Sequence, residues 1–154
     1  GLHYELQAPW WHVAELMDVI DRFPETPVVI NHCFMPVDRS PEGLTAWRDA
    51  IDRAAAAPNV VMKISGIGIK GHPWTLAEQR PVIDNCIEAF GPSRCLFASN
   101  FPVDSLVGSL TTIYGGFLEA TRDLSEAERV AMFHDNAVRV YRLDRARLNL
   151  PSNA

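Results

Sequence analysis

Three short runs rich in β-branched residues recur at nearly equal spacing, and this spacing restricts the chain to few folds. The runs begin at Pro27, Asn59 and Arg94, and a segment with apolar residues at helical spacing follows each of them. A shorter alternating run covers residues 2–6. Strands that alternate with helices predict a parallel sheet with helices packed on it, which is an α/β fold.

Capping residues and prolines indicate where the helices begin and end. Ser40 precedes a proline, as an N-cap does, and Thr75 and Ser125 each open a capping box. Pro81 predicts a break in the third helix, so we expect its main part over residues 81–90. Asp104 is expected to cap the next helical segment, which the glycine pair at 115–116 would interrupt. Residues 148–154 are expected to form a loose tail.

The composition excludes several classes of protein. Hydrophobic residues make up 47% of the chain, which is enough for a core and excludes a disordered protein. No apolar run reaches the roughly 18 residues of a membrane helix. The net charge is -5 and no basic stretch stands out, so neither nucleic acid nor a membrane is an expected partner. Three cysteines without CxxC spacing predict reduced thiols in a cytoplasmic protein.

Two architectures have this order of strands and helices. One is a complete four-stranded, doubly wound sheet. The other is half of a (β/α)8 barrel, because the 154 residues are too few for a whole barrel of about 250. The pattern alone favours neither. Both architectures place their sites at the carboxyl ends of the strands, so polar residues at those ends are the candidates for function.

Three residues at or near strand ends are the main candidates for chemistry. His32 suits a metal ligand, a general base or a substrate contact, or a ring that only bonds its own backbone. Lys63 lies in an apolar strand, where it would bind an anionic group, act as a base or reach solvent. Asn100 can both donate and accept, so it would orient a carbonyl or carboxylate.

Five further residues are candidates for binding substrate. Glu5 is a carboxylate within a predicted strand, where it would pair with Lys63, serve as an acid or base, or face solvent. The others follow strand ends, where turn formation or a plain surface loop is the alternative role. They are Ser65, His72, Trp74 and Ser99.

Four segments resemble the amidohydrolase-2-type metal-dependent hydrolases, in their order and spacing, and especially the lactonase-like branch. The segments are residues 29–36 (VINHCFMP), 59–67 (NVVMKISGI), 94–104 (RCLFASNFPVD) and 136–143 (NAVRVYRL). This resemblance implies a TIM barrel, of which residues 1–147 would be the C-terminal half with the last four strands. It also implies a hydrolase in which water attacks a lactone, ester or amide carbonyl of a small organic acid or sugar lactone.

The resemblance implies roles for individual residues as well. His32 matches a histidine that binds metal or substrate, and the implied metal is Zn or Mn. Asn100 stands where the family has an aspartate that binds metal and takes a proton from water, and Asn100 can do neither of these well. The family's opening His-x-His strand is absent from the sequence. A barrel relative that binds a small acidic ligand without metal or catalysis is therefore the alternative.

A half-barrel by itself has consequences for assembly. We expect the chain to begin inside a longer protein, because its first residues already read as a strand. We also expect two open sheet edges and an exposed part of the barrel interior. These features predict a homo-oligomer or a missing N-terminal half, and they predict that the chain alone is inactive on its small-molecule substrate.

Overall fold

A computed structural model describes residues 2–144, which contain one sheet of four parallel strands. The order in the sheet, β1-β2-β3-β4, follows the order in the chain. The predicted α/β fold is thus confirmed, although the strands are shorter than the sequence runs. They are β1 (Tyr4–Leu6), β2 (Val28–Ile30), β3 (Val60–Ile64) and β4 (Cys95–Phe97).

Helices connect the strands and continue after the last one. Their bounds are α1 (Val13–Ile20), α2 (Pro41–Ala55), α3 (Leu76–Phe90), α4 (Leu110–Ala120), α5 (Glu126–Val130) and α6 (Asn136–Tyr141). A π-helical turn, Ala131–Asp135, joins the last two. Within residues 2–144, each helix is too short or too polar to cross a membrane.

The two faces of the sheet pack against different parts of the chain. The outer face contributes residues such as Ile30, Met62 and Phe97 to the main core, where the helices cover them. The inner face carries Val29 and Val61 in register with each other. Because strand side chains alternate between faces, each face has its own set of neighbours.

The inner face is covered, in contrast to the exposed barrel interior that the sequence predicts. Val29, Val61 and Leu96 are buried together with Val140, and Tyr141 packs against them. Val140 and Tyr141 come from α6, the last helix of the described chain. This helix therefore returns to the sheet and shields apolar side chains that an isolated half-barrel would otherwise expose.

The third helix begins at Leu76, so the predicted break at Pro81 is wrong. Thr75 caps the helix by accepting a hydrogen bond from the Glu78 main chain. Proline removes one hydrogen bond to the carbonyl four residues earlier, which belongs to Ala77. Both Pro81 and Ala77 are exposed, so that carbonyl can bond water instead. Burial of the opposite side of α3 then outweighs the local cost of the proline.

The fourth helix also differs from its predicted form. Ser109, not Asp104, caps it by accepting from the Thr112 main chain at 3.0 Å. Gly115 and Gly116 continue the helix instead of interrupting it. A Cβ at Gly116 would collide with the Trp74 indole, so the glycine lets this ring pack directly on α4. Close packing therefore explains why Gly116 lies within a helix, although glycine has a low helix propensity.

A buried asparagine at the start of α6 attaches this helix to β4. The side-chain amide of Asn136 donates to the carbonyls of Pro92 and Cys95 at 2.8 and 2.7 Å. Its oxygen accepts from Arg139 at 3.1 Å. The side chain thus satisfies two carbonyls at the point where the chain enters β4, and it does so away from water.

We expect Asn136→Ala to lower the free energy of unfolding by about 2 kcal/mol, because it removes the bonds to both carbonyls. Asn85→Ala is the matched control, since the Asn85 side-chain nitrogen is buried and bonds to no group in the described part of the chain. We expect the control to be neutral or stabilising. Urea unfolding followed by circular dichroism measures both, and equal losses would contradict this role of Asn136.

Candidate active site

Left-handed backbone follows β2, β3 and β4 at the same edge of the sheet. The residues are His32 (φ 57°), Gly66 (φ 58°) and Asn100 (φ 56°). Parallel strands end at the same edge, so the three positions are neighbours. Glycine adopts this conformation readily, whereas other residues do so uncommonly, although asparagine and histidine do so more often than most. Strained backbone is frequent at functional sites, and this edge is therefore the candidate active site.

The turn after β2 is the most strained of the three. His32, Cys33, Phe34 and Met35 all have positive φ angles, between 48° and 58°. Each such residue costs about 1–2 kcal/mol relative to right-handed backbone. Burial of Cys33 and Phe34 offsets part of this cost. The buried Trp47 adds a hydrogen bond from its indole Nε1 to the Cys33 carbonyl, at 2.8 Å.

The strained turn brings the His32 ring against β3. Its Nδ1 lies 2.9 Å from the hydroxyl of Ser65, which is buried. A Cβ at Gly66 would lie 2.5 Å from Nδ1, so only glycine leaves room for the ring there. A hydroxyl can donate or accept, so this contact is compatible with either neutral tautomer, and Nε2 is an acceptor when Nδ1 carries the proton.

Asn100 approaches the same region from β4 and is held by Asp104. The Asn100 Nδ2 donates to Asp104 Oδ1 at 2.8 Å. A carboxylate can only accept, so the amide nitrogen faces Asp104 and the amide oxygen is directed elsewhere. A Cβ at Gly66 would lie 3.1 Å from Asn100 Nδ2, so Asn100 and His32 border the same glycine.

Asp104 is a buried carboxylate of this site, and the prediction that it caps a helix is wrong. Its exposed fraction is 7%, and it lies in the short turn Val103–Leu106. Burial lowers the pKa of His32, and the negative charge of Asp104 opposes that change without reversing it. The imidazole is therefore neutral at pH 7, as a proton acceptor or a metal ligand must be.

A second polar group lies on the inner face of the sheet. Lys63 Nζ is 2.9 Å from Glu5 Oε2, which is the pairing considered from the sequence. Tyr141 donates to Glu5 Oε1 at 2.8 Å, and its ring centroid lies 5.3 Å from Lys63 Nζ. Burial alone would raise the Glu5 pKa, but the hydrogen bonds from Lys63 and Tyr141 outweigh it and lower that pKa. The positive charge of Lys63 adds to the effect of burial and lowers the pKa of His32, whereas the charge of Glu5 raises that pKa.

Three predicted site residues lie apart from these two groups. Ser99 accepts a hydrogen bond from the Phe101 main chain at 3.2 Å, which is turn formation. His72 is exposed and lies 3.5 Å from Glu78. Trp74 was a candidate for binding substrate, but it is buried and does not line the candidate site. Its ring packs edge-on against Phe117, with ring centroids 5.8 Å apart.

Two residues of the site are missed by sequence reasoning. Asp104 lies four residues after Asn100. Side chains at this spacing are neighbours on a helix, and here they are also neighbours in a turn. This spacing is therefore a signal that could have identified Asp104. Tyr141 is separated from Glu5 by 136 positions, and no local signal predicts their contact.

The described residues do not fit a complete metal site. Catalytic zinc usually has three protein ligands. Within residues 2–144, no group of three histidine, cysteine, aspartate or glutamate side chains is arranged to hold a metal ion. His32 is the one ligand that the sequence analysis identifies, and Asn100 adds no charge. Any metal bound here would require ligands from outside the described residues.

The family of the chain follows from comparison with known proteins. The amidohydrolase family model Amidohydro_2 matches residues 1–143. This match covers nearly the whole sequence, and the chain belongs to the amidohydrolase family.

Individual relatives agree with this membership. An uncharacterized protein of Sinorhizobium fredii is 43% identical over 143 residues, which are 93% of this chain and 48% of that protein. An L-fucono-1,5-lactonase of Burkholderia ambifaria is 32% identical over 140 residues, covering 87% of this chain and 48% of that enzyme. The chain thus spans about half the length of these curated relatives.

A solved structure shows the same relation. An amidohydrolase from Burkholderia multivorans, crystallised with bound zinc, superposes with a TM-score of 0.83 at 27% identity. The match covers 92% of this chain and 52% of that one. The predicted half-barrel α/β fold is confirmed by this match.

Proposed function

We propose that this chain forms the catalytic half of a hydrolase that adds water to the carbonyl of a small lactone. Esters and amides of small organic acids are the related substrates. The observation that carries the proposal is the pair of contacts His32–Ser65 and Asn100–Asp104 at one strand edge of an amidohydrolase. The Burkholderia ambifaria relative, an L-fucono-1,5-lactonase, favours a sugar lactone as substrate.

The neutral His32 ring is the general base in this proposal. Its Nε2 takes a proton from water as the water oxygen bonds to the carbonyl carbon. The bond from that carbon to the ring oxygen then breaks, and His32 returns its proton to the leaving oxygen. The proposal places the ring proton on Nδ1, which donates to the Ser65 hydroxyl at 2.9 Å.

Asn100 and Lys63 have supporting roles. Asp104 fixes the amide of Asn100, so the amide oxygen accepts a hydrogen bond from the attacking water or from the substrate. Lys63 polarises the carbonyl or holds a substrate carboxylate. Its ion pair with Glu5 holds the ammonium near the site, and 17% of the Lys63 side chain is exposed. No step is assigned to Zn or Mn, because the described residues do not complete a metal site.

A relative that binds a small acidic ligand without catalysis is the second candidate function. The neutral Asn100, in place of the family's aspartate, favours it. Turnover distinguishes the two functions, since a binding protein leaves a lactone intact. The three free thiols Cys33, Cys86 and Cys95 fit a reducing compartment such as the cytoplasm in either case.

We further propose that additional strands pair with the two edges of the sheet and complete the site. An apolar groove of about 370 Å³ runs beside β1 and includes Phe23, whose exposed fraction is 58%. Open strand edges and exposed apolar grooves are typical of surfaces that bind another chain. Four strands from a second copy, or from the other half of a full-length protein, would complete the eight of a barrel.

We expect His32→Asn to reduce lactone hydrolysis by about 10²–10⁴-fold, because the general base is lost. Asp104→Asn is expected to cause a smaller loss, since Asp104 acts through Asn100 and His32. His12→Asn is the matched control, because His12 is exposed on a turn before α1. A pH-indicator assay with an aldonolactone on the assembled protein measures all three. Equal rates for His32→Asn and the control would contradict the proposal.

We expect this chain by itself to form a dimer in which each copy covers the apolar groove of the other. Phe23→Glu would introduce a charge into the groove and produce a monomer. Leu106→Glu is the control, because Leu106 is exposed but does not line the groove. Light scattering coupled to gel filtration gives both masses. A stable monomer of the unmodified chain would rule out pairing of two copies.

A further inference from the structure

Two apolar depressions lie beside the two edge strands of the sheet. The groove beside β1 is lined in part by Phe23, whose side chain is 58% exposed. A shallow pocket of about 280 Å³, which we call the β4 pocket, lies beside β4. It is lined by Leu118, Glu126, Arg129, Val130 and Phe133. The Phe133 ring places this pocket at β4, because it packs against Phe97 of that strand with centroids 4.7 Å apart.

The β4 pocket combines exposed apolar side chains with an unpaired cation. Leu118 and Val130 are 45% and 41% exposed. Arg129 has a buried Nε without a hydrogen-bond partner in the described part of the chain. Within residues 2–144 it forms no salt bridge either, even with Glu126 in the same pocket. Exposed apolar groups beside an arginine are typical of the central part of a protein–protein interface.

The chain segment around Phe23 carries the opposite charge. Residues 15–25 contain four acids and one base, and all five are exposed. The acids are Glu15, Asp18, Asp21 and Glu25, and the base is Arg22. The surface that carries Phe23 is therefore acidic, whereas the β4 pocket holds an unpaired cation. The two surfaces are complementary in charge as well as in apolar character.

The sheet allows two copies of the chain to bring these surfaces together. In the part of the chain that the structure describes, β1 pairs only with β2 and β4 only with β3, so both edges are open to a further strand. When β1 of one copy lies parallel to β4 of the second, a two-fold axis also joins the other two edges. The groove and the β4 pocket both adjoin side chains of the main core, on the outer face of the sheet. Each groove then faces the β4 pocket of the other copy.

We propose that two copies of the chain form a dimer in which Phe23 of each copy inserts into the β4 pocket of the other. This inference rests on the proposal above that further strands pair with the sheet edges, and it identifies the contact that holds them. Aromatic and arginine side chains contribute much of the energy of such interfaces, so Phe23 and Arg129 form its centre.

The dimer also has a consequence for the candidate active site. All strands of the sheet are parallel, so the joined edges of β1 and β4 end on the same side. The loop after β1, residues 7–12, then lies beside the turn that contains Asn100 in the other copy. Each copy thus adds residues to the candidate active site of the other.

Mixing two variants that each fail to dimerise tests the contact. Phe23→Glu removes the inserted ring, and Val130→Glu places a charge in the pocket that receives it. We expect each variant alone to be a monomer by light scattering. An equimolar mixture is expected to form a dimer, because Phe23 of the Val130→Glu chain meets an intact β4 pocket on the Phe23→Glu chain. Leu110→Glu is the control and stays a dimer, since Leu110 is 47% exposed but lies outside the pocket.

Reversing the charge of Arg129 tests the electrostatic part of the contact. Arg129→Glu would place an acid opposite the acidic segment 15–25, and we expect the Kd of the dimer to rise about tenfold. Arg48→Glu is the matched control, because it makes the same charge change at an exposed position of α2 outside the pocket. Sedimentation equilibrium measures both Kd values, and circular dichroism verifies that the variants are folded.

The outcomes separate this contact from the proposed hydrolase. A monomeric unmodified chain, a Val130→Glu chain that still dimerises, or a mixture that stays monomeric would each overturn the contact. Equal effects of Arg129→Glu and Arg48→Glu would overturn it as well. A dimer that behaves as expected but leaves a lactone intact supports the contact and counts only against the proposed hydrolase.

Discussion

The four strands pair in parallel, each with its neighbour in the chain, so all of them end at the same edge of the sheet. The candidate site depends on this constraint. Left-handed backbone at His32, Gly66 and Asn100 then turns each chain segment sharply after its strand. Gly66 is the centre of this arrangement, because a side chain there would collide with His32 and crowd Asn100. The site is thus a consequence of close backbone approach, and the strained turn after β2 is held by the Trp47 hydrogen bond and by burial.

The polar residues divide into a reactive group and a supporting group. His32, Ser65, Asn100 and Asp104 bring a neutral imidazole close to a fixed amide and a buried carboxylate. Lys63 and Glu5 compensate each other's charge on the inner face, and Tyr141 from the last helix completes that group. Because α6 also covers the inner valines, the same helix contributes both to packing and to the electrostatics near the site.

Much of the fold could be predicted from the sequence, since strand runs and caps such as Ser40, Thr75 and Ser125 are local signals. The errors at Pro81 and Asp104 have tertiary causes. Burial of one face of α3 outweighs a proline on the exposed face, and Asp104 bonds a side chain of the preceding turn instead of a helix N-terminus. His32 and Lys63 could be selected from strand ends alone, whereas the Tyr141–Glu5 contact joins opposite ends of the described chain.

The account requires that His32 presents an unprotonated Nε2 at neutral pH. Long-range ¹H–¹⁵N correlation spectra of the imidazole at pH 7 measure this directly, with His32→Asn to assign the signal. The predicted result is a neutral ring with its proton on Nδ1, toward Ser65. A ring protonated on Nε2, or on both nitrogens, would contradict the account, because that nitrogen would then accept no proton from water.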